Sequence, residues 1–180
     1  HEILLEGLHG LHNVDHRGAC GADSLSSDGV GIMTDIPFEL LGYERGTIAV
    51  ATLFITQEPE MQRQLLQVFE DTFHFFDMPI LAYRPVPINS AVLGPQSAKT
   101  MPHMVQAIIK RPYQSNTDAA FNRQLYMAQR MTFTKQKKLS RIPQFFMPSL
   151  SVTTIVYKGL TLSKNLGQFY LDLQNPLYRT

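Results

Sequence analysis

The 180-residue chain has the length and composition of one folded domain, with 44% hydrophobic and 17% charged residues. This balance excludes a disordered tail or a coiled coil, and no apolar run approaches the roughly 20 residues of a transmembrane helix. The N-terminus lacks the basic and apolar pattern of a signal peptide. Because Cys20 is the single cysteine, no intramolecular disulfide can form, and we predict a cytoplasmic, reducing location without membrane association.

The net charge of +1 conceals an asymmetry between the two halves of the sequence. Residues 1–92 hold 13 acidic residues against four arginines, and residues 93–180 hold 12 basic residues against two aspartates. Sequence halves of opposite charge indicate either two tails with separate partners or one domain whose halves face each other. The length favours a single domain over residues 1–180.

A helix and a polar loop are predicted at the start of the chain. Leu4, Leu8 and Leu11 repeat at i, i+4 and i+7, which indicates an amphipathic helix over residues 1–13. Because the first residue already lies inside this pattern, we expect that upstream sequence has been cut away. A loop rich in Gly, Ser and Asp follows over residues 15–28, and residues 29–33 form a short strand whose glycines allow close approach.

The rest of the chain mixes predicted strands and helices. The apolar run at 47–55 indicates a buried strand, and Pro59, with Glu58 and Glu60 beside it, starts a helix. The later predicted elements are a strand at 80–83 with an extended edge at 84–87, a strand at 105–109, a helix capped by Asp118, strands at 145–150 and 153–157, and a short helix at 163–170. Without a steady strand–helix–strand rhythm, helices on antiparallel-leaning sheets are favoured, an α+β class.

Cys20 is a candidate nucleophile because it lies between glycines with Arg17 nearby, and a neighbouring cation favours the thiolate. A Cys–His pair with His16 is one interpretation. A structural cysteine in a tight glycine loop is the other, and it is favoured because buried cysteines are usually structural. Cys20 is internal to the chain, so it cannot use its own α-amino group as a base.

Two other groups of residues could form a functional site, but each also has a simpler, non-functional explanation. His9, His12, Asp15 and His16 have metal-ligand spacing on a helix, but such spacing arises easily by chance, and no metal site is predicted. The basic stretch at 134–141 could contact nucleic-acid phosphates, yet it lacks interleaved aromatic residues and is predicted to be a solvated loop without a nucleic-acid partner. Phosphate-binding glycine motifs and a G-x-S-x-G elbow are absent from the sequence.

Four segments resemble a known family in the family's own order. The first, at residues 16–23 and 28–32, is similar to L-x-H-R-G-A-C-G-A-D…G-D-G-A-G-I. The others are 83–89 (W-R-x-V-P-V-N), 121–130 (F-E-R-K-L-Y-x-A-R-R) and 149–176 (S-L-S-x-x-T-I-V-Y-K-G…L-x-x-F-Y-x-D-L-x-x-P). Together they resemble the N-terminal class II glutamine amidotransferase domain of the glutamate synthase large subunit.

The resemblance implies a fold and a reaction. The fold is the four-layer αββα sandwich of Ntn hydrolases, incomplete in these 180 residues. In the family, an N-terminal cysteine attacks the side-chain amide of glutamine, its α-amino group moves the protons, and an Asn-Gly pair stabilises the oxyanion. The ammonia then passes to a synthase domain that uses FMN and an iron–sulfur cluster, so no cofactor is expected in this chain.

By the same resemblance, the early loop forms the wall of the glutamine pocket beside the nucleophile. The residues concerned are Arg17, Gly18, Ala19, Cys20, Gly21 and Asp23. Arg17 either presents a fixed cation to the pocket or braces the loop through backbone carbonyls, and the two glycines permit close backbone approach. Cys20 matches the second, non-nucleophilic cysteine of the signature, and the oxyanion pair has no counterpart in residues 1–180. No catalytic residue is therefore predicted.

The leading hypothesis is a partial glutaminase domain that is inactive alone. Its partners would be the remaining synthase domains or a second copy of the chain, and it would take glutamine only where the site is completed. The alternative is a non-catalytic binding or regulatory protein derived from this fold, which binds through an open sheet edge. A third hypothesis is a thiol enzyme built on Cys20.

Overall fold

The computed structural model describes residues 2–14, 27, 29–140 and 144–179. The chain divides into two compact units. The first comprises His1–Gly42, Val86–Met101 and Val156–Thr180, and the second comprises Tyr43–Pro85 and Pro102–Ile155. No helix in the described ranges is long and apolar enough to cross a membrane. The single domain over residues 1–180 stays a prediction.

Six helices and six strands are assigned in the described part of the chain. In chain order they are α1 (Glu2–Asn13), β1 (Val30–Asp35), α2 (Phe38–Leu41), β2 (Ile48–Ile55), α3 (Pro59–Phe75), β3 (Ile80–Pro85), α4 (Pro95–Thr100), β4 (His103–Lys110), α5 (Asp118–Gln136), β5 (Phe145–Ser151), β6 (Thr154–Gly159) and α6 (Leu166–Phe169). Short 3₁₀ turns lie at Ser90–Val92, Ser163–Asn165 and Leu171–Gln174. The six predicted strands and the two longer helices predicted after residue 28 all occur within a few residues of their expected bounds.

The second unit is a four-stranded sheet in the order β3-β4-β2-β5, and every pair is antiparallel. Alternate residues of β2, including Ala51 and Leu53, point towards α3 and α5 and belong to the main hydrophobic core. The helices contribute apolar residues at helical spacing, among them Phe69, Phe73 and Phe121. The predicted mixed α/β fold with antiparallel sheets is confirmed.

The starts of α3 and α5 show how local chemistry sets helix bounds. The carboxylate of Glu58 accepts hydrogen bonds from the N–H groups of Glu60 and Met61, so it caps α3 as well as favouring the helix dipole. At α5 the predicted cap, Asp118, is wrong by one residue. Thr117 is extended and its hydroxyl accepts from the N–H of Ala120, while Asp118 is the first helical residue.

The first unit contains α1, α2, α4, α6, and the pairing of β1 with β6 in a two-stranded sheet. Its buried residues come from both ends of the chain, for example Leu4 in α1, Tyr157 in β6 and Leu166 in α6. The predicted short helix at 163–170 is a 3₁₀ turn that leads into α6. The very short helices α2 and α4 were not predicted.

Candidate functional site

The predicted pocket wall lies outside the described residues. This applies to Arg17, Gly18, Ala19, Cys20, Gly21 and Asp23, and also to Asp15 and His16 of the metal-ligand alternative. Their roles stay predictions. The description resumes at Ser27, whose hydroxyl donates to the carbonyl of Thr161 at 2.7 Å and accepts from the N–H of Gly29 at 3.2 Å. Ser27, just before β1, is therefore tied to Thr161, just after β6, within the first unit.

Gly31, in the early segment, packs directly on β6. A Cβ atom at this position would lie 2.9 Å from the Cβ of Lys158 and 3.0 Å from the carbonyl oxygen of Tyr157. The first distance is shorter than real Cβ contacts and the second is tighter than most of them, so the close packing of β1 on β6 favours glycine at this position. The sequence prediction of close approach at this strand is confirmed, and the approaching group is backbone.

A cluster of buried tyrosines joins β1 to β6 and to the chain that follows β6. Tyr157 donates to the carboxylate of Asp172 at 3.1 Å, and the hydroxyls of Tyr178 and Thr34 lie 2.6 Å apart. The ring centroids of Tyr157 and Tyr178 are 6.0 Å apart. Asp172 is only 3% exposed, so its carboxylate depends on such donors. These residues were not singled out as functional from the sequence, because the contact that ties them to β1, between Thr34 and Tyr178, joins positions 144 residues apart.

The tyrosine cluster is expected to make stability fall at alkaline pH. Burial raises the pKa of Tyr178 from 10.0 to about 12 and also raises the pKa of Tyr170. The folded state thus holds these protons more tightly, so the stabilisation is complete below about pH 10 and is lost as pH rises through about 12. Tyr178→Phe should remove about 1–1.5 kcal/mol of this alkaline loss by pH 11, measured by urea unfolding between about pH 8 and 11. Tyr113→Phe, which alters a fully exposed ring, should leave the pH dependence unchanged, and equal effects of the two variants would contradict the prediction.

The Pro-rich segment after β3, which belongs to the second resemblance segment, also contacts this region. The N–H of Asn89 donates to the carbonyl of Phe169 at 2.8 Å, and the N–H of Leu171 donates to the carbonyl of Pro87 at 3.1 Å. Ile88 and Tyr170 form the antiparallel bridge between these bonds. Residues of the first, second and fourth resemblance segments therefore meet within the first unit.

Two grooves in the first unit border α1. One, of about 670 Å³, lies between α1 and β1 and is lined by Leu4, Leu11 and Ile32 among others. The other, of about 570 Å³, is lined by His9, His12 and Lys164 among others. Among the described residues no group of three or more His, Cys, Asp or Glu side chains could hold a metal ion. The first groove is lined by Val14 and Gly31, which lie close to the two ends of the predicted loop in the sequence.

A row of polar side chains crosses the sheet of the second unit. Arg84, in β3, donates to the side-chain oxygen of Gln106 in β4 at 2.9 Å, and Ser149, in β5, donates to Thr52 in β2 at 3.1 Å. The strand registers pair Arg84 with Gln106, Gln106 with Thr52, and Thr52 with Ser149. Gln106 is fully buried and Thr52 is 4% exposed, so these hydrogen bonds offset the cost of burying polar groups. The row contains Arg84 and Ser149, which belong to the second and fourth resemblance segments.

The family described as "Glutamine amidotransferases class-II" matches the chain over residues 1–180. The chain belongs to this family. Among curated relatives, it is 37% identical to ferredoxin-dependent glutamate synthase 2 of Synechocystis sp. and 35% identical to the chloroplastic ferredoxin-dependent glutamate synthase of rice, in each case over 99% of this chain. It is 30% identical to the NADH glutamate synthase of Schizosaccharomyces pombe over 99% of the chain. The chain spans 12% of the length of the first two relatives and 9% of the third.

Proposed function

We propose that this chain is part of a glutaminase domain that supplies ammonia within a glutamate synthase. The observation that carries the proposal is the match along the whole chain to class II amidotransferases and to glutamate synthases. The meeting of three motif segments in the first unit supports it, because β1, the strand that follows the predicted loop, is held there against β6. The remaining synthase domains are the proposed partners, since the chain covers 12% of such relatives.

The proposed reaction is the hydrolysis of the glutamine side-chain amide. A thiolate attacks the amide carbon, ammonia leaves with the proton that it receives, and water then hydrolyses the thioester to glutamate and free thiol. In this proposal Arg17 and the glycines around Cys20 form the wall of the glutamine pocket. Cys20 is not the nucleophile, because an internal cysteine has no α-amino group of its own.

The finer architecture is also part of the proposal. We propose the four-layer αββα arrangement of Ntn hydrolases, with α3 and α5 as the outer layer on the sheet of the second unit. Burial on both faces of β2 and β4 supports further layering, since Val50 and Ile108 are as deeply buried as the core-facing Ala51 and Ala107. The chain has one cysteine, so it does not fit an iron–sulfur cluster, which requires several cysteine thiolates. FMN and the cluster are proposed to belong to other domains, and a cytoplasmic location remains a prediction.

The division of roles between Cys20 and Arg17 is testable in a chimera. Residues 1–180 would replace the matching segment of the Synechocystis ferredoxin-dependent glutamate synthase 2, and ammonia release from glutamine would be measured. Cys20→Ala should leave kcat/KM within about threefold, and Arg17→Ala should lower it about 10–100-fold, the loss of a charge-assisted hydrogen bond. The purified 180-residue chain should release no ammonia.

Two results would contradict this proposal. One is ammonia release by the 180-residue chain that Cys20→Ala abolishes, because Cys20 would then be the nucleophile. The other is a folded chimera, with the circular dichroism spectrum of the parent enzyme, that releases no ammonia.

A further inference from the structure

The outer face of the helix pair in the second unit has a defined geometry. The side-chain amide of Gln136 donates to the carbonyl of Leu65 at 3.4 Å, which places the end of α5 beside the first half of α3. Phe69 and Phe133 both lie against Phe145, with ring centroids 6.2 and 6.3 Å away. The helices therefore run antiparallel, with residue 65 level with 136 and residue 69 level with 133.

The two helices carry opposite charges. From its cap to its end, α3 has four acidic residues and one base: Glu58, Glu60, Glu70, Asp71 and Arg63. From its start through the following turn, α5 has one acid and five bases: Asp118, Arg123, Arg130, Lys135, Lys137 and Lys138. Within the described residues, Asp118 is paired with Arg111 at the edge of this layer. An acidic helix thus lies beside a basic helix.

Exposed apolar side chains lie within the same face. Tyr126 and Met127 on α5 are 61% and 51% exposed, and Phe75 on α3 is 69% exposed. In this antiparallel alignment of the two helices, Phe75 lies at the same height along the helix axis as Tyr126, and Asp71 lies at the same height as Arg130. Tyrosine, methionine and arginine are enriched in protein interfaces, and exposed side chains of this size are typical of a docking surface when charges surround them.

We propose that the outer face of α3 and α5 is a self-association surface that binds a second copy of this chain. A two-fold rotation axis parallel to the helices would set α3 of each copy on α5 of the other at unchanged height. Asp71 would then face Arg130 of the other copy, and Phe75 would face Tyr126. A two-fold axis across the helices would instead stack acidic α3 on acidic α3, which like-charge repulsion opposes. The charge pattern therefore selects one symmetry.

The available area fits a weak, reversible dimer. Helices of 17 and 19 residues are about 25 and 28 Å long, and two of them, each about 10 Å wide, present a face of roughly 500 Å². Two copies would bury about 1,000 Å², near the lower limit for a specific interface. Dissociation constants in the micromolar range and a strong salt dependence are expected. This inference does not depend on the glutaminase proposal.

Sedimentation equilibrium of the 180-residue chain tests the surface and its symmetry together. We expect reversible dimers that weaken about tenfold in high salt and about tenfold with Arg130→Asp or Asp71→Arg, since each substitution creates two repulsions per dimer. The double variant Asp71→Arg/Arg130→Asp should recover the wild-type constant within about threefold, because the exchanged charges attract again. Lys99→Glu, a charge reversal at an exposed position in the first unit, should change nothing.

Three results would overturn the proposal. They are a monomer at every concentration up to about 200 µM, a dimer that the single variants leave intact, and a double variant as weak as the singles. Circular dichroism checks that each variant is folded, and Tyr126→Ser, which removes the exposed ring without a charge change, provides an independent probe that should weaken the dimer as well. Loss of ammonia release in the chimera with dimers intact would count against the glutaminase proposal alone.

Discussion

Phe69→Ala is expected to lower the free energy of unfolding by about 3–5 kcal/mol, the usual cost of truncating a fully buried phenylalanine. Phe69 is fully buried in α3, where its ring centroid lies 4.2 Å from that of Phe73 and 6.2 Å from that of Phe145. Truncation removes contacts to a second helix residue and to β5 at once, and the tightly packed sheet beneath cannot collapse into the space. Urea unfolding followed by far-ultraviolet circular dichroism would measure the loss, since the chain has no tryptophan.

Phe75→Ala is the matched control for this prediction. It makes the same change on the same helix, but the Phe75 ring is 69% exposed. At concentrations where the chain is monomeric, the expected loss is within about 0.5 kcal/mol. Phe69→Leu, which retains most of the buried volume, should cost about 1–1.5 kcal/mol. Similar losses for Phe69→Ala and Phe75→Ala would show that the core does not lie between α3 and the sheet.

The second unit was largely predictable because its pattern is local. The apolar run of β2 and the helical spacing in α3 each lie within one stretch of fewer than 20 residues. The helices α2 and α4, of four and six residues, are too short for periodicity to be detected. The predicted basic loop at 134–141 was partly wrong, because Gln136 is buried against Leu65 and α5 continues to that residue. Gln136 is buried by a contact with a residue 71 positions away in the sequence, and such a contact leaves no signal in the local sequence pattern.

The charge asymmetry of the two sequence halves has a clearer meaning in the structure. The sheet of the second unit alternates the halves, since β3 and β2 come from the acidic half and β4 and β5 from the basic half. The first unit likewise contains residues from both ends of the chain. Such interleaving is inconsistent with two separate charged tails. The opposite charges instead meet within one unit, where α3 and α5 lie side by side.

The candidate site was predictable only as far as its motifs are contiguous. Residues 16–23 can be recognised as one string, and Gly31 could be expected to allow close approach because it alternates with another glycine in a strand. The tyrosine cluster depends on Thr34, Asp172 and Tyr178, whose hydrogen bonds span up to 144 residues. Aromatic residues in a late segment are usually assigned to the core, and only the contacts reveal that they secure β1 and β6.

Gly31→Ala is expected to lower the free energy of unfolding by about 2–3 kcal/mol, and Gly31→Val by more. The cost is spatial, because Gly31 is not among the positive-φ glycines Gly29, Gly42 and Gly46. An added Cβ would meet the Cβ of Lys158 at 2.9 Å and the carbonyl oxygen of Tyr157 at 3.0 Å. The second of these is backbone and cannot turn aside, so β1 must move away from β6. Tyrosine fluorescence during urea unfolding would report the change.

Gly10→Ala separates this contact from the general effect of adding a methyl group. Gly10 lies in α1, and an added Cβ there would meet nothing within 4 Å. Alanine lowers the entropy of the unfolded chain and favours the helix, so a gain of up to about 1 kcal/mol is expected. If Gly31→Ala were as harmless as Gly10→Ala, the close approach of β1 and β6 would be excluded. If it destabilises as expected, the loop predicted at residues 15–28 is followed by a strand whose position is fixed by backbone contact, which is what the proposed pocket wall requires.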